Sequence, residues 1–168
     1  MEINEVKVSV IINSHNGANY LKNCINSVLK QTYQHYEIIF WDNCSNDNTI
    51  ELIKKFNDKR IRYFSSNIFD NLPTARNKAI EKAKSNLIAI LDIDDQWHET
   101  KIEKQLKLFE DNQNLALVYT NCYLLKKDAI FFKKKIYSKK KLPSVKINKN
   151  ILQNYRIAHS TIMFNLAK

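Results

Sequence analysis

The residues best able to do chemistry lie in one short run, Leu91-Asp92-Ile93-Asp94-Asp95, where three carboxylates close an apolar segment. Like charges this near one another repel, so they need a cation or shared protons. Hard divalent ions such as Mg2+ and Mn2+ take oxygen ligands, commonly one or two carboxylates together with substrate phosphates. A cation held there would neutralise a diphosphate and help it depart. A solvated acidic loop leading into the next helix is the competing use of the same residues.

Two further clusters could serve the same ligand. Trp41-Asp42-Asn43-Cys44-Ser45-Asn46-Asp47-Asn48-Thr49 is dense in Asx and Ser. Such residues build turns and helix caps, and their side-chain oxygens can equally accept an imide N–H from the edge of a nucleobase. Pro73-Thr74-Ala75-Arg76-Asn77 can open a helix with proline in its first turn. It carries Arg76, one of only four arginines, which can fork onto phosphate or pair with the acidic loop. No glycine-rich phosphate loop is present, since Gly17 is the single glycine.

The elements that must position these clusters are legible as alternation. Lys7–Ile12, Glu37–Trp41, Arg60–Phe64, Asn86–Leu91 and Leu115–Leu125 read as strands. The last is expected to continue into a hairpin with Ala129–Phe132. Ala18–Gln31, Thr49–Phe56, a segment opened by Pro73, and Glu99–Phe109 read as helices. Further on, Ile151–Tyr155 is expected to be helical and Thr161–Phe164 a strand. Strands apolar on both faces, alternating with helices, predict an α/β fold with a mostly parallel sheet and helices on both sides. Ligands in such sheets bind beyond the carboxyl ends of the strands. That places Asn13–Asn16, Asp42–Asp47 and Asp92–Asp95 on one rim.

Charge divides the chain. Residues 1–128 hold 17 basic and 17 acidic side chains, whereas residues 129–168 hold ten basic and no acidic ones, which accounts for the net charge of +10. The first stretch reads as a globular unit. The second reads as a basic arm with clusters at Lys133–Lys135 and Lys139–Lys141, suited to an anionic membrane surface or another polyanion. Nucleic acid is disfavoured, because no recognition-helix or aromatic RNA motif accompanies the lysines. Three cysteines, Cys24, Cys44 and Cys122, cannot pair completely and match no zinc spacing. A cytoplasmic setting follows, peripheral on the inner face of a membrane if the lysines dock there. No apolar run approaches the roughly 18 residues of a membrane span.

Taken in order, VSVIINSHN, EIIFWDNCSNDNT, PTARNKAI and LIAILDIDDQW resemble the inverting family 2 glycosyltransferases of the GT-A, Rossmann-like fold. The resemblance covers about residues 6–128, with an echo of the acceptor half at Ala158–Phe164. It implies a nucleotide-sugar donor, UDP-linked by preference, a divalent metal, Mn2+ or Mg2+, and a saccharide or lipid-linked acceptor, in bacterial surface polysaccharide synthesis. It places Ser14, His15 and Asn16 in the loop that holds the nucleobase. It places Asp42 and Asn43 where a pair of acids reads the base, and Arg76 near the nucleotide. Asp92, Ile93 and Asp94 stand in the DxD motif, with Asp94 on the metal, Asp92 on ribose or the metal shell, and Asp95 as a helper. On this resemblance residues 1–128 form the donor-binding domain and 129–168 the start of the acceptor region. The base that deprotonates the acceptor is expected beyond Lys168, as if the chain were cut short, since His159 is the only titratable candidate near the echo. A catalytically inactive nucleotide-sugar or membrane-docking module would use the same residues. A nucleotidyltransferase would need a glycine-rich loop after the first strand, and a doubly wound signalling domain would have no use for Arg76.

Overall fold

A computed structural model describes residues 6–127, 132–138 and 157–168. Four strands, β1 (Val8–Ser14), β2 (Tyr36–Asn43), β3 (Ile61–Ser66) and β4 (Leu87–Asp92), run parallel. Between them come the helices α1 (Ala18–Leu29), α2 (Thr49–Lys54) and α3 (Leu72–Ile80). α4 (Lys101–Asp111) then leads to β5 (Leu117–Val118), and β8 (Met163–Asn165) enters antiparallel between β4 and β5. The sheet order is β3-β2-β1-β4-β8-β5. This is the mixed, mostly parallel α/β sheet that the alternation of apolar runs predicts.

The strands read as apolar runs because both faces are covered. On one face Val8, Val10, Ile12, Ile38, Phe40 and Leu91 pack with Leu21, Ile25 and Val28 of α1 and Ile102, Leu106 and Phe109 of α4. On the other, Ile11, Ile39, Trp41, Ile88 and Ile90 pack with Ala75 and Ala79 of α3. Asn71 caps α3 by accepting Thr74 N–H at 3.0 Å, with Pro73 in the first turn. The termini of α1 and α2 share one carboxylate. Asp47 Oδ2 accepts Ala18 N–H at 3.1 Å and Oδ1 accepts Thr49 N–H at 2.9 Å. Partial burial pushes this carboxyl up, but those bonds outweigh it and hold it below its ordinary range.

Two expectations need correction. Leu115–Leu125 is not one strand. After β5 the chain leaves the central sheet, and β6 (Tyr123–Lys127) pairs antiparallel with β7 (Phe132–Ile136) in a separate ribbon. Asn121 makes the break. Its Oδ1 accepts the N–H groups of Cys122 at 3.0 Å and Ser138 at 3.2 Å, and its Nδ2 donates to Ser138 O at 2.7 Å, which closes the base of the hairpin. The expected hairpin partner overlaps the observed one only at Phe132, and residues 129–131 lie outside the described residues. The second correction is at 161–164, where a 3-10 turn (His159–Thr161) precedes β8 and shifts the strand toward the C-terminus. The helix expected at Ile151–Tyr155 also lies outside the described residues.

Cys24, Cys44 and Cys122 are free thiols. Among the described residues no helix is long and apolar enough to cross a membrane.

Candidate functional site

The parallel register brings the three polar segments abreast. Ser14 pairs with Asp42, and Asn13 lies between Trp41 and Asp92 on its two neighbouring strands. At this rim several buried polar atoms have no partner among the described residues: both ends of the Asn13 amide, Ser14 Oγ, Trp41 Nε1, Asp42 Oδ1 and Arg76 Nε. A buried polar group left unpaired costs about 1–3 kcal/mol, so a cluster of them at one rim points to a polar ligand.

Asp42 is 1% exposed. Its Oδ2 accepts Ser45 N–H at 3.1 Å, which leaves Oδ1 as an acceptor. Asn43 behaves differently. Its Nδ2 donates to Asp70 O at 2.8 Å and its Oδ1 accepts Asp70 N–H at 3.1 Å, so both ends of the amide hold the loop between β3 and α3. His15 is exposed, with Nδ1 2.9 Å from Asn43 O and its ring edge-on to Phe69 at 4.6 Å. Asn16 takes a left-handed backbone, φ 54°. Its Oδ1 accepts the N–H groups of Asn46 at 2.8 Å and Asp47 at 3.3 Å, which staples the first loop to the second. Gly17 has no room for a side chain, because a Cβ would meet Ser14 Oγ and come 2.8 Å from Ile93 Cγ1. The first loop and the acidic turn are therefore packed directly on each other, with Ile93 as the contact.

The acidic turn gives its three carboxylates three environments. Arg76 Nη2 donates to Asp92 Oδ1 at 2.6 Å; the two side chains are 13% and 33% exposed. Asp95 N–H bonds back to Asp92 O at 3.0 Å and closes the turn. Ser160 Oγ donates to Asp95 Oδ2 at 2.5 Å. Burial raises the Asp95 carboxyl above its ordinary range, and the charges of Asp94 and Asp92 add to this against the hydrogen bond from Ser160. Asp94 is exposed. Among the described residues no three His, Cys, Asp or Glu side chains converge as a ready-made metal cage.

The sequence placed Ser160 in the acceptor echo without giving it a role, and did not single out Phe69 or Asp70 at all. The adjacent aromatic and acid after the third strand were the available signal. His159 is exposed, on the 3-10 turn beside Ser160. A cavity of about 610 Å³ opens at the opposite, amino end of the strands, among Tyr36, Glu37, Asp58, Arg60, Arg62 and Lys84. Its two arginines are each paired, Arg60 to Asp58 at 2.7 Å and Arg62 to Glu37 at 2.6 Å, so we assign these groups to the framework.

The model of glycosyl transferase family 2 matches residues 9–167. The chain belongs to this family. It is 35% identical over 137 residues to the putative teichuronic acid biosynthesis glycosyltransferase TuaG of Bacillus subtilis, covering 80% of this chain and 54% of that protein. It is also 35% identical over 123 residues to the Escherichia coli enzyme WfgD, a UDP-Glc:alpha-D-GlcNAc-diphosphoundecaprenol beta-1,3-glucosyltransferase, covering 73% of this chain and 48% of that one. This family 2 chain thus spans about half the length of these two relatives. Among solved structures, Staphylococcus aureus TarS 1-349 superposes with a TM-score of 0.73 at 23% identity, covering 96% of this chain and 47% of that one. The Pyrobaculum calidifontis mannosyltransferase PcManGT, in complex with GDP-Man and Mn2+, gives 0.63 at 20% identity, covering 67% and 34%. These likenesses fix the fold as GT-A.

The donor set of the acidic turn suits a divalent cation. It offers hard carboxylate oxygens, Asp94 facing solvent and Asp92 with only Oδ1 committed to Arg76. Two carboxylates with the remaining positions left to phosphate oxygens is how such ions commonly bind.

Proposed function

We propose that this chain binds a nucleotide-diphosphate sugar, a UDP-sugar by preference, and serves a glycosyltransferase acting on a saccharide or lipid-linked acceptor in surface polysaccharide synthesis. The observation that carries this reading is the pairing of unpartnered Ser14 Oγ and Asp42 Oδ1 on one face of the β1–β2 rim, with a solvent-facing carboxylate just past the end of β4.

In this reading Asp42 Oδ1 accepts the imide N–H of the base, while Ser14 and His15 line the same loop. Asn16 and Asn43 shape that loop through their bonds to residues 45–47 and 70. Asp94, with Asp92, holds Mn2+ or Mg2+, and Ile93 sets the turn against Gly17. The bound cation supplies charge neutralisation for the departing diphosphate. Arg76 orients Asp92 and lends its positive charge to the same end of the site. Residues 1–128 supply the donor side and the basic 129–168 stretch begins the acceptor side. Inverting transfer also needs a general base for the acceptor hydroxyl, and we assign that role to none of residues 1–168. The UDP preference draws support from the substrate named for WfgD, and the cation from the Mn2+ bound to PcManGT.

Calorimetry with UDP and GDP, each with and without Mn2+, tests the reading. UDP should bind with Mn2+, and both removal of Mn2+ and replacement by GDP should weaken binding about tenfold or more, the scale of one charge-assisted bond lost. Equal binding of both nucleotides would remove the UDP preference. Absence of UDP binding would overturn the site.

A second expectation concerns the lysines at 139–141, which lie outside the described residues. Lys139, Lys140 and Lys141 all changed to Gln should weaken binding to vesicles of anionic lipid by up to about a hundredfold at low salt, given up to about 1 kcal/mol per basic residue near such a surface. The difference should shrink as salt is raised. UDP affinity should be unchanged. If the lysine change abolished UDP binding instead, the division into a donor unit and a basic arm would be wrong.

A further inference from the structure

The Asp92–Asp95 turn is fastened by a residue from far along the chain. Ser160 is buried on the 3-10 turn before β8. Its Oγ accepts Asp92 N–H at 3.0 Å and donates to Asp95 Oδ2 at 2.5 Å. Its carbonyl accepts the indole N–H of Trp97 at 2.7 Å. A hydroxyl has one proton to give; here it goes to a carboxylate, while the oxygen takes the amide at the other end of the same turn. One side chain therefore grips both ends of the acidic turn, and its backbone grips the aromatic residue that follows.

The serine cannot simply follow the loop if the loop moves. Gln105 Nε2 donates to Thr161 O at 2.9 Å, and β8 is paired to β4 through Met163, Phe164 and Asn165. Three aspartates that look alike in sequence are thereby made unlike: Asp92 is matched by Arg76, Asp95 is exposed but gives Oδ2 to Ser160, and Asp94 is exposed with both oxygens uncommitted among the described residues.

We propose that Ser160 is a positioning residue for the cation loop, fixing both ends of the Asp92–Asp95 turn so that Asp94 is the carboxylate presented, and making cation affinity depend on how the 157–165 segment is seated. This rests on the reading of the rim as a nucleotide-diphosphate site. Removing the hydroxyl leaves the Asp92 amide unpaired and the Asp95 carboxylate without a donor beside two others. The turn relieves both by shifting, and Asp94 shifts with it.

The test is Mn2+ binding followed by electron paramagnetic resonance of the free ion in the presence of UDP. Ser160→Ala should weaken Mn2+ binding about tenfold or more, the usual loss when an outer partner of a metal ligand is removed. Ser160→Thr keeps the hydroxyl and should stay within about threefold of the unmodified chain. UDP binding without Mn2+ should change by less than about twofold, since the loss runs through the cation. If Ser160→Ala folds poorly, Asp95→Asn decides the matter. The amide still accepts from Ser160, so Mn2+ affinity should largely survive; loss as complete as in Asp94→Ala would make Asp95 a ligand and overturn the proposal. Unchanged Mn2+ affinity in Ser160→Ala, whatever its melting temperature, would overturn it too and leave the donor-site reading intact. An unmodified chain that binds neither Mn2+ nor UDP would overturn both.

Discussion

Asp94→Ala is expected to abolish Mn2+-dependent UDP binding while leaving the fold unaffected. The three aspartates of the turn are not interchangeable. Asp92 holds Arg76 at 2.6 Å and Asp95 takes the Ser160 hydroxyl at 2.5 Å, so each has structural work that competes with a cation. Asp94 is exposed, and no hydrogen bond or ion pair is found for it among the described residues. Its removal should cost little in stability, within about 0.5 kcal/mol, as for most surface changes away from special features. The effect on the cation should be severe. Losing an outer-shell partner already weakens metal binding by about 10–100-fold, and loss of a direct carboxylate ligand should exceed that. UDP affinity measured with Mn2+ should fall to the value seen without it. Asp92→Asn makes the contrast, because it disturbs the cation and also strands a mostly buried guanidinium, so its melting temperature should fall as well. If Mn2+ still strengthened UDP binding in Asp94→Ala, the cation would lie elsewhere.

The strands and their shared rim were legible because a parallel sheet covered on both faces writes itself as apolar runs, and such runs end where ligands bind. The separate tasks of neighbouring rim residues were harder to see, although part of the clue was present. Asp42 and Asn43 are consecutive on β2, and consecutive strand residues point to opposite faces. The structure gives both ends of the Asn43 amide to the Asp70 backbone, and of the two residues it is Asp42 that keeps an uncommitted acceptor. Glu37 was counted within an apolar strand. It is buried, and accepts from Ser9 Oγ at 2.7 Å, Lys84 N–H at 2.7 Å and Arg62 at 2.6 Å, three partners scattered along the chain. Ser160 has the same character. Its meaning depends on contacts with Asp92 and Asp95 made only when β8 threads beside β4. Periodicity reports which face a residue occupies; it does not report what arrives on that face from elsewhere in the chain.

The second large effect is expected from Trp97→Ala, which should destabilise the fold by about 3–5 kcal/mol, the range for truncating a buried large aromatic. Trp97 is 8% exposed and joins three parts of the molecule. Its indole N–H donates to Ser160 O at 2.7 Å, and its backbone N–H donates to Ser27 Oγ of α1 at 3.1 Å. Its ring lies 4.0 Å from the ammonium of Lys101, a buried cation whose hydrogen-bond acceptor is Gln105 Oε1 at 2.6 Å. Trp97→Phe keeps a ring against Lys101 and loses the bond to Ser160, so it should cost only about 1–2 kcal/mol. Lys101 supplies a check that packing alone would not. Burial lowers its pKa from 10.5 to about 7. Between those values the unfolded chain holds a proton that the folded chain has released, so stability rises with pH from about 7 toward 10.5, and the penalty is fully present below 7. Lys101→Met should remove that rise and stabilise the fold at neutral pH, because an unpaired buried charge is replaced by an apolar chain of similar length. Urea unfolding at pH 6.5 and 9.5 separates the cases. A Trp97→Ala loss below about 1 kcal/mol, outside the range for a buried aromatic, would show that the segment around Ser160 is held to the acidic turn by other contacts. A pH slope surviving in Lys101→Met would place the titrating group elsewhere.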